Sequence, residues 1–343
     1  MLDLLSDHLH MQIDQLNAKE GLPKGDSTNS RPRLSIIITS YSMERLADIF
    51  ELLDSVSNQT YTNFETIFVA EGSLELLDCV REYVSEKRIP NVRVIFNDGK
   101  RGLSEARNLA IGEATGSILA FADDDVVLAK QWAEEIVKTF AQDESIIGVT
   151  GSADPLWDDT SNSWLPEELD WLLSCTRWCH WYETREVRNV WGMNMAFGRE
   201  AFEVCGLFPT ELGYHRGPMA EDLGFSMMVR RATRKRIVFN PKARVSHKVH
   251  QYRLSWRFIA ERSYWIGHSR RMLEKYYPNT ADESTLSTEN DLLKRIVTQL
   301  LPRTLNNFRQ LSVTLVVLFF AGLGYLLPGF PQSWSPSRRS FEA

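Results

Sequence analysis

Between Leu34 and Ala122 the chain switches back and forth between two hydrophobic periods. LSIIITS (34–40), ETIFVAEGS (65–73), VRVIFN (92–97) and SILAFA (117–122) are short apolar runs of strand length, rich in β-branched residues. Met43 to Ser57, the stretch from Ser73 to Val84, and LSEARNLAIGEA (103–114) instead carry apolar residues at helical spacing with charges on the other face. Strand and helix alternate four times, which predicts an α/β domain with a mostly parallel sheet flanked by helices. Another helix is expected over Lys130 to Phe140. After Val149 the alternation stops, and a Trp-rich, less regular stretch occupies 157 to 191.

The two ends read differently. Leu5, Leu9, Ile13 and Leu16 recur at helical spacing, and GLPKGDSTNSRPR then forms a polar linker, so the folded domain is expected to begin at Leu34. Its first residues are acidic and lack a continuous apolar signal core, which leaves the folded domain on the cytosolic side. WRFIAERSYWIGHSRRMLEKYY is an aromatic, basic amphipathic helix of the kind that lies on a membrane surface. Leu311 to Phe330 contains no charge; as a helix it would span ~30 Å, about one bilayer core. It is either a spanning helix or an interfacial hairpin, since Gly322, Gly324 and Pro328 weaken it. Arginines lie on both sides of it and do not fix its orientation. The expected organisation is therefore 1–33 helix and linker, 34–250 α/β domain (halves 34–149 and 150–250), 251–310 basic helical region, 311–330 membrane-associating segment and 331–343 polar tail.

Composition sharpens this outline in two places. An apolar fraction of 43% supports a sizeable core, yet the net charge of -6 is unevenly spread. Arg230 to Lys275 holds fourteen Lys and Arg against Glu261 and Glu274 alone. Such a segment suits phosphate, an anionic membrane or nucleic acid, or else is a solvated basic face. The four cysteines show no disulfide framework. Cys175, Cys179 and His180 lack a second pair at zinc spacing and are expected to be packing residues.

Candidate chemistry gathers at LAFADDDVV (119–127). In parallel α/β sheets ligands bind where the strands' carboxyl ends meet, and those ends carry Thr39 to Tyr41, Glu71 to Ser73, Asn97 to Gly102 and Asp123 to Asp125. Side chains alternate on an extended strand, so Asp123 and Asp125 share a face and Asp124 points elsewhere. Two converging carboxylates repel unless a cation sits between them, and Mg2+ or Mn2+ accepts such ligands together with phosphates. The alternative is a solvated acidic turn.

SIIITSY, FVAEGS, GLSEARNLAI, FADDD and MAEDLGF resemble, in order and rough spacing, the motifs of the family 2 glycosyltransferases, which have the GT-A fold. The resemblance covers about Leu34 to Ser269. It implies a loop at Thr39 and Tyr41 for the nucleotide base, with Glu71 replacing the second Asp of the family's DDGS turn. Arg107, Asp123 and Asp124 would face the nucleotide, while Asp125, Asp123 and His247 would hold Mn2+ or Mg2+. Asp222 would be the general base, a role that a positioned carboxylate can fill for an acceptor hydroxyl. Trp191, Gly192, Asn194 and Glu221 would line the acceptor. His247 shares a strand face with Val245 and Val249 and can equally be a structural histidine.

The resemblance thus implies an inverting, metal-dependent transferase moving a sugar from a nucleoside diphosphate donor, expected to be UDP-linked, to an acceptor at the cytoplasmic face of the membrane. Similarity extends to transferases that act on polyprenyl or dolichyl phosphate-linked sugars, including hexuronosyl transferases. Bare lipid phosphate, polysaccharide, or donor binding without turnover are the alternatives; nucleic acid is not an expected partner. A nucleotidyltransferase would show a Gly-rich loop near its start, and SIIITSYSMER has no glycine. A receiver domain would end long before residue 300.

Overall fold

The computed structural model describes residues 31–159, 164–210, 221–276 and 285–327. The helix and linker expected before residue 31 and the tail 331–343 lie outside these residues. Strands β1 (Leu34–Ser40), β2 (Phe64–Glu71), β3 (Val92–Asn97) and β4 (Ile118–Ala122) fall on the four apolar runs. Helices α1 (Leu46–Ser57), α2 (Leu74–Lys87), α3 (Leu103–Glu113) and α4 (Trp132–Phe140) follow β1, β2, β3 and β4 in the chain. Both faces of β1 are enclosed. Ile36 and Ile38 join one apolar cluster while Ile37 joins the other, which is why the run is unbroken rather than alternating. Ser73 caps α2 by accepting the Leu76 N–H at 3.1 Å.

β1, β2, β3 and β4 are parallel, in register from Leu34 opposite Phe64 and Ile118. Their carboxyl ends therefore lie along one edge. Beyond β4 the sheet is mixed. β8 (Asn194–Gly198) runs antiparallel to β4 with Ala122 opposite Asn194, and β6 (Ile146–Trp157) follows it. β9 (Arg236–Val249) is parallel to β6, and the short β5 (Val126–Leu128) and β7 (Arg185–Val187) pair antiparallel with it.

Among the described residues the sheet order is β3-β2-β1-β4-β8-β6-β9-β5. Thus β4 and β5, joined only by Asp123 to Asp125, stand four strand spacings apart in pairing order. A flat sheet would separate them by ~19 Å, more than the ~14 Å that four residues of chain can span. The sheet must curl, and the aspartates bridge its mouth.

The second half supplies α5 (Arg199–Cys205), α6 (Glu221–Thr233), α7 (Trp256–Tyr276), α8 (Ser287–Arg295), α9 (Leu301–Thr304) and α10 (Phe308–Leu326). α7 departs from the surface helix expected of it: Ile259, Ser263 and Tyr264 are buried, and α10 packs across it. At Gly267 an added Cβ would stand 2.0 Å from the Ala321 carbonyl oxygen, and at Gly324 1.9 Å from that of Tyr264. Only glycine allows the two backbones this close. Cys175, Trp178 and Cys179 pack into a third apolar cluster with Leu169 and Leu172, in keeping with a packing role.

Candidate active site

Each aspartate of the triplet meets a different environment. Asp124 turns back toward the end of β1, where its Oδ2 accepts the Ser40 hydroxyl at 2.5 Å. Asp125 is buried. Its Oδ2 receives Arg45 at 3.0 Å and Arg253 at 2.6 Å, and its Oδ1 faces His247 Nε2 at 3.3 Å. The Tyr252 hydroxyl accepts from both arginines. Asp123 is more open, with Arg107 at 3.1 Å from Oδ1. Pairing of Val126 with His247, and the Lys248 N–H donated to the Asp125 carbonyl, fix the histidine beside the triplet.

Electrostatics separate the three further. Burial, and then the charge of Asp125, push the Asp124 carboxyl up to about 7. Burial would raise Asp125 too, but His247, Arg253 and Arg45 outweigh it and hold that carboxyl far below the usual range. Behind Arg45 a second network is anchored on Asp48, which Lys248 and His250 each reach at 2.8 Å. Those two hydrogen bonds hold the Asp48 carboxyl down at about 2 against its burial.

Arg107 links the triplet to the second acidic pair. Buried at 3% exposure, it bonds Asp123 through Nη2 and Glu221 through Nη1 at 2.8 Å. Burial raises the Glu221 carboxyl, with Asp222 adding repulsion and Arg107 opposing. Asp222 opens α6 beside it. Its Oδ2 accepts the Gly192 N–H and its Oδ1 the Leu223 N–H, each at 2.7 Å. Two backbone donors orient the carboxylate and leave one lone pair on each oxygen. A Cβ on Gly192 would stand 3.5 Å from both Arg107 Nη2 and Asp222 Oδ2, so Gly192 is the floor of this corner.

Other expected site residues lie further out or inside. Thr39 ends β1 part-buried and Tyr41 is exposed at the mouth. Glu71 accepts the Gly102 N–H at 2.9 Å and so ties the β2 turn to the start of α3. Trp191 packs against Trp181 and Phe239. Asn194 is the clear departure: it is fully buried, and its amide bonds Trp132, Ala243 and Ser152, so it ties strands together and does not reach the acceptor side. Arg45 and Arg253 escaped the sequence reading. Arg45 lies just past the SIIITSY loop, and Arg253 was submerged in the charge count of the basic segment.

Asp123, Asp125 and His247 offer three ligand atoms within 4.8 Å of one another. The guanidiniums pair with Asp123 Oδ1 and Asp125 Oδ2, and Asp125 Oδ1 faces the histidine. His247 Nδ1 is buried without a partner. A nitrogen and two hard oxygens at this spacing suit a divalent cation that completes its shell with phosphate oxygens.

A curled α/β sheet with acidic groups at the carboxyl edge of its parallel half fits the GT-A glycosyltransferase expected from the sequence. The sequence model of Glycosyl transferase family 2 matches residues 35–206, and the chain belongs to this family of glycosyltransferases. It is 29% identical over 300 residues to the glucosyl-dolichyl phosphate glucuronosyltransferase of Haloferax volcanii, covering 86% of this chain and 95% of that one. Among solved structures it is similar to the mannosyltransferase PcManGT from Pyrobaculum calidifontis, solved with GDP-Man and Mn2+. That match has a TM-score of 0.57 at 19% identity, over 97% of this chain and 86% of that one. A further likeness, to GalNAc-T7 with UDP, GalNAc and Mn2+, has a TM-score of 0.52 at 15% identity, over 81% and 58%.

Proposed function

We propose that the protein transfers a sugar, with inversion, from a UDP-sugar to a polyprenyl or dolichyl phosphate-linked sugar at the membrane surface. The observation that carries this reading is that Asp125, His247 and Asp123 cluster within 4.8 Å and that Arg107 links Asp123 to Glu221, the neighbour of Asp222. A place for a diphosphate thus lies beside a carboxylate that can act as base. The Haloferax relative's name supports the lipid-linked acceptor, and the Mn2+ in both solved relatives supports a divalent metal on Asp123, Asp125 and His247. When bound, Mn2+ or Mg2+ offsets charge on the diphosphate.

In the proposed reaction Asp222 takes the proton of an acceptor hydroxyl while that oxygen bonds the anomeric carbon. The bond from that carbon to the phosphate oxygen breaks, and the nucleoside diphosphate leaves with the electron pair. One displacement from the opposite side inverts the configuration. Arg45 and Arg253 supply fixed positive charge where the leaving group develops its negative charge. Arg107 bridges Asp123 and Glu221 and opposes the rise that burial imposes on both carboxyls. Thr39, Tyr41 and Glu71 hold the base, Asp124 the ribose, and Trp191 and Gly192 face the acceptor in this reading.

Membrane association rests on α10. Val313, Val317 and Gly324 are buried on one face, while Phe308, Leu315, Phe319 and Leu326 are exposed on the opposite one. We place the domain at the cytoplasmic face with α10 as its C-terminal anchor.

The deciding assay is turnover of a panel of nucleotide sugars with Mn2+ or Mg2+, with and without lipid-phosphate-linked sugar. Hydrolysis or transfer of one donor, dependent on metal, is expected. If no nucleotide sugar is turned over or stabilises the protein thermally, the transferase reading fails. An acceptor that is bare lipid phosphate needs no base, and then Asp222→Asn would keep its activity.

A further inference from the structure

A cleft of about 770 Å3 opens between β7, the turn Arg177–Cys179, the later part of α6 and α8. It shares no lining residue with the aspartate site. Asp222 and Arg230 are eight residues apart on α6, ~12 Å along the axis, so one helix serves both places.

Five cationic side chains line the cleft, Arg185, Arg188, Arg230, Lys294 and Arg295, against Glu186 and Asp291. Two are already satisfied within the protein. Arg188 is buried and grips Glu289 at 2.8 and 2.9 Å, and Arg230 pairs with Glu186 at 3.2 Å. Arg185 lies over the Trp181 ring, 4.8 Å from its centre, with no ion pair among the described residues. Lys294 and Arg295 likewise find no side-chain partner among the described residues.

Three cations without a carboxylate partner among the described residues thus line one cleft of a chain whose net charge is -6. Arg185 on β7 and Lys294 and Arg295 on α8 line this one cleft from different elements. Ser287 and Thr288 add hydroxyl donors on the α8 side, and Trp178 and Trp181 add aromatic surface.

We propose that this cleft is a second, metal-independent anion site that takes a phosphate ester. The phosphoryl group sits between Arg185, Lys294 and Arg295, and the organic part rests on Trp178 and Trp181. A phosphoryl group matches the site better than a carboxylate, because its three terminal oxygens and near-double charge use three separated cations and the hydroxyls. The ester is either a soluble sugar phosphate or the headgroup of a lipid.

The test uses the full chain in detergent with EDTA, so that metal-dependent donor binding is silent. Titration with glucose 1-phosphate, followed by calorimetry and tryptophan fluorescence, is expected to give saturable binding that glucose does not reproduce. Lys294→Ala with Arg295→Ala should weaken it at least about tenfold, while Arg295→Lys should keep it. In parallel, flotation with vesicles with and without phosphatidylglycerol tests the lipid source. Loss, in the double variant, of the phosphatidylglycerol-dependent part of vesicle binding, which the uncharged face of α10 does not supply, without any glucose 1-phosphate binding, assigns the phosphate to a lipid headgroup. Binding indifferent to these substitutions, or none from either source, overturns the proposal. Thermal unfolding of the double variant controls for folding; both side chains are partly or fully exposed, so it should match the parent. Donor turnover is a separate readout, so failure here and failure of the transferase reading are told apart.

Discussion

At the scale of single residues, the three aspartates of LAFADDDVV do different work because their partners differ. Asp125 carries two arginines and a histidine, so Asp125→Ala leaves Arg45, Arg253 and His247 facing each other with nothing negative between them. We expect metal-dependent donor binding to vanish in that variant, measured by calorimetry with Mn2+ and nucleotide sugar; undiminished binding would remove the metal assignment. Asp222 is set apart by its two backbone donors, which pin the carboxylate whatever its charge. Asp222→Asn keeps the size but satisfies only one of the two N–H donors; the diphosphate side of the site is untouched, so donor affinity should persist while transfer to a hydroxyl acceptor falls by roughly 10²–10⁴-fold. Strand alternation, the reason the sequence offers for setting Asp124 apart, is not the reason in the structure: Asp123 to Asp125 form the turn between β4 and β5, and the turn sends Asp124 toward Ser40. The counter-charges were not legible in the sequence, because Arg45 and Arg253 come from segments 80 and 128 residues from Asp125. Asn194 misled for a related reason: a polar residue beside a motif looks like a ligand contact until its neighbours claim every hydrogen-bonding atom.

At the scale of elements, the first four strands and their helices could be read from periodicity because each is a local pattern, and their parallel order followed from the alternation. The second half could not. β5 has three residues, β8 arrives from seventy residues away, and β9 owes its place to long-range pairing rather than to any local period. The crossing of α7 and α10 is equally silent in the sequence, since Gly267 and Gly324 look like helix-weakening residues until the backbones are seen to touch. Gly267→Leu should therefore cost several kcal/mol, at or above the usual ~1–3 kcal/mol of overpacking, because a carbonyl cannot yield as a side chain can. Thermal unfolding measures it, and an unchanged midpoint would show that the crossing is loose. α8 gives a second, pH-dependent case. Burial opposes the ionised form of Glu289, but Arg270 and Arg188 hold its carboxyl down at about 2. A carboxyl depressed by folding stabilises above its unfolded pKa and loses that contribution as pH falls through its folded one. The loss here should be about 2 kcal/mol between pH 5 and pH 3, and urea unfolding of Glu289→Gln should show a correspondingly flatter acid limb. If parent and variant keep the same slope, the pairing contributes nothing.

At the scale of the whole molecule, the basic run Arg230 to Lys275 turns out to be largely the internal counter-ion of an acidic chain: Arg236 meets Asp143, Lys235 meets Glu200, Lys248 meets Asp48, Arg253 meets Asp125 and Arg270 meets Glu289. A charge sum cannot tell a surface from a set of salt bridges, and this one belongs mainly to the second. What remains for the membrane is shape. α10 is long enough for ~28 Å of bilayer, yet it is fastened to α7 by the glycine crossing, by Arg271 Nη1 donating to the Leu326 carbonyl at 2.7 Å, and by the Tyr325 hydroxyl bonded to Glu274. A perpendicular span would drag Arg270, Arg271 and Glu274 of α7 toward hydrocarbon, at a cost of roughly 2.5–3.5 kcal/mol for each central charge. Lying in the interface costs none of this and still buries Phe308, Leu315, Phe319 and Leu326, which point away from the body. The expected outcome is an in-plane anchor. Replacing Phe308, Leu315, Phe319 and Leu326 with serine should release the protein from vesicles without moving its unfolding midpoint, because none of the four is in the core. Epitope tags added before Met1 and after Ala343 should both be cut by protease on the same side of sealed vesicles. Protection of one tag alone would mean that α10 crosses the bilayer and that α7 must part from it to allow this.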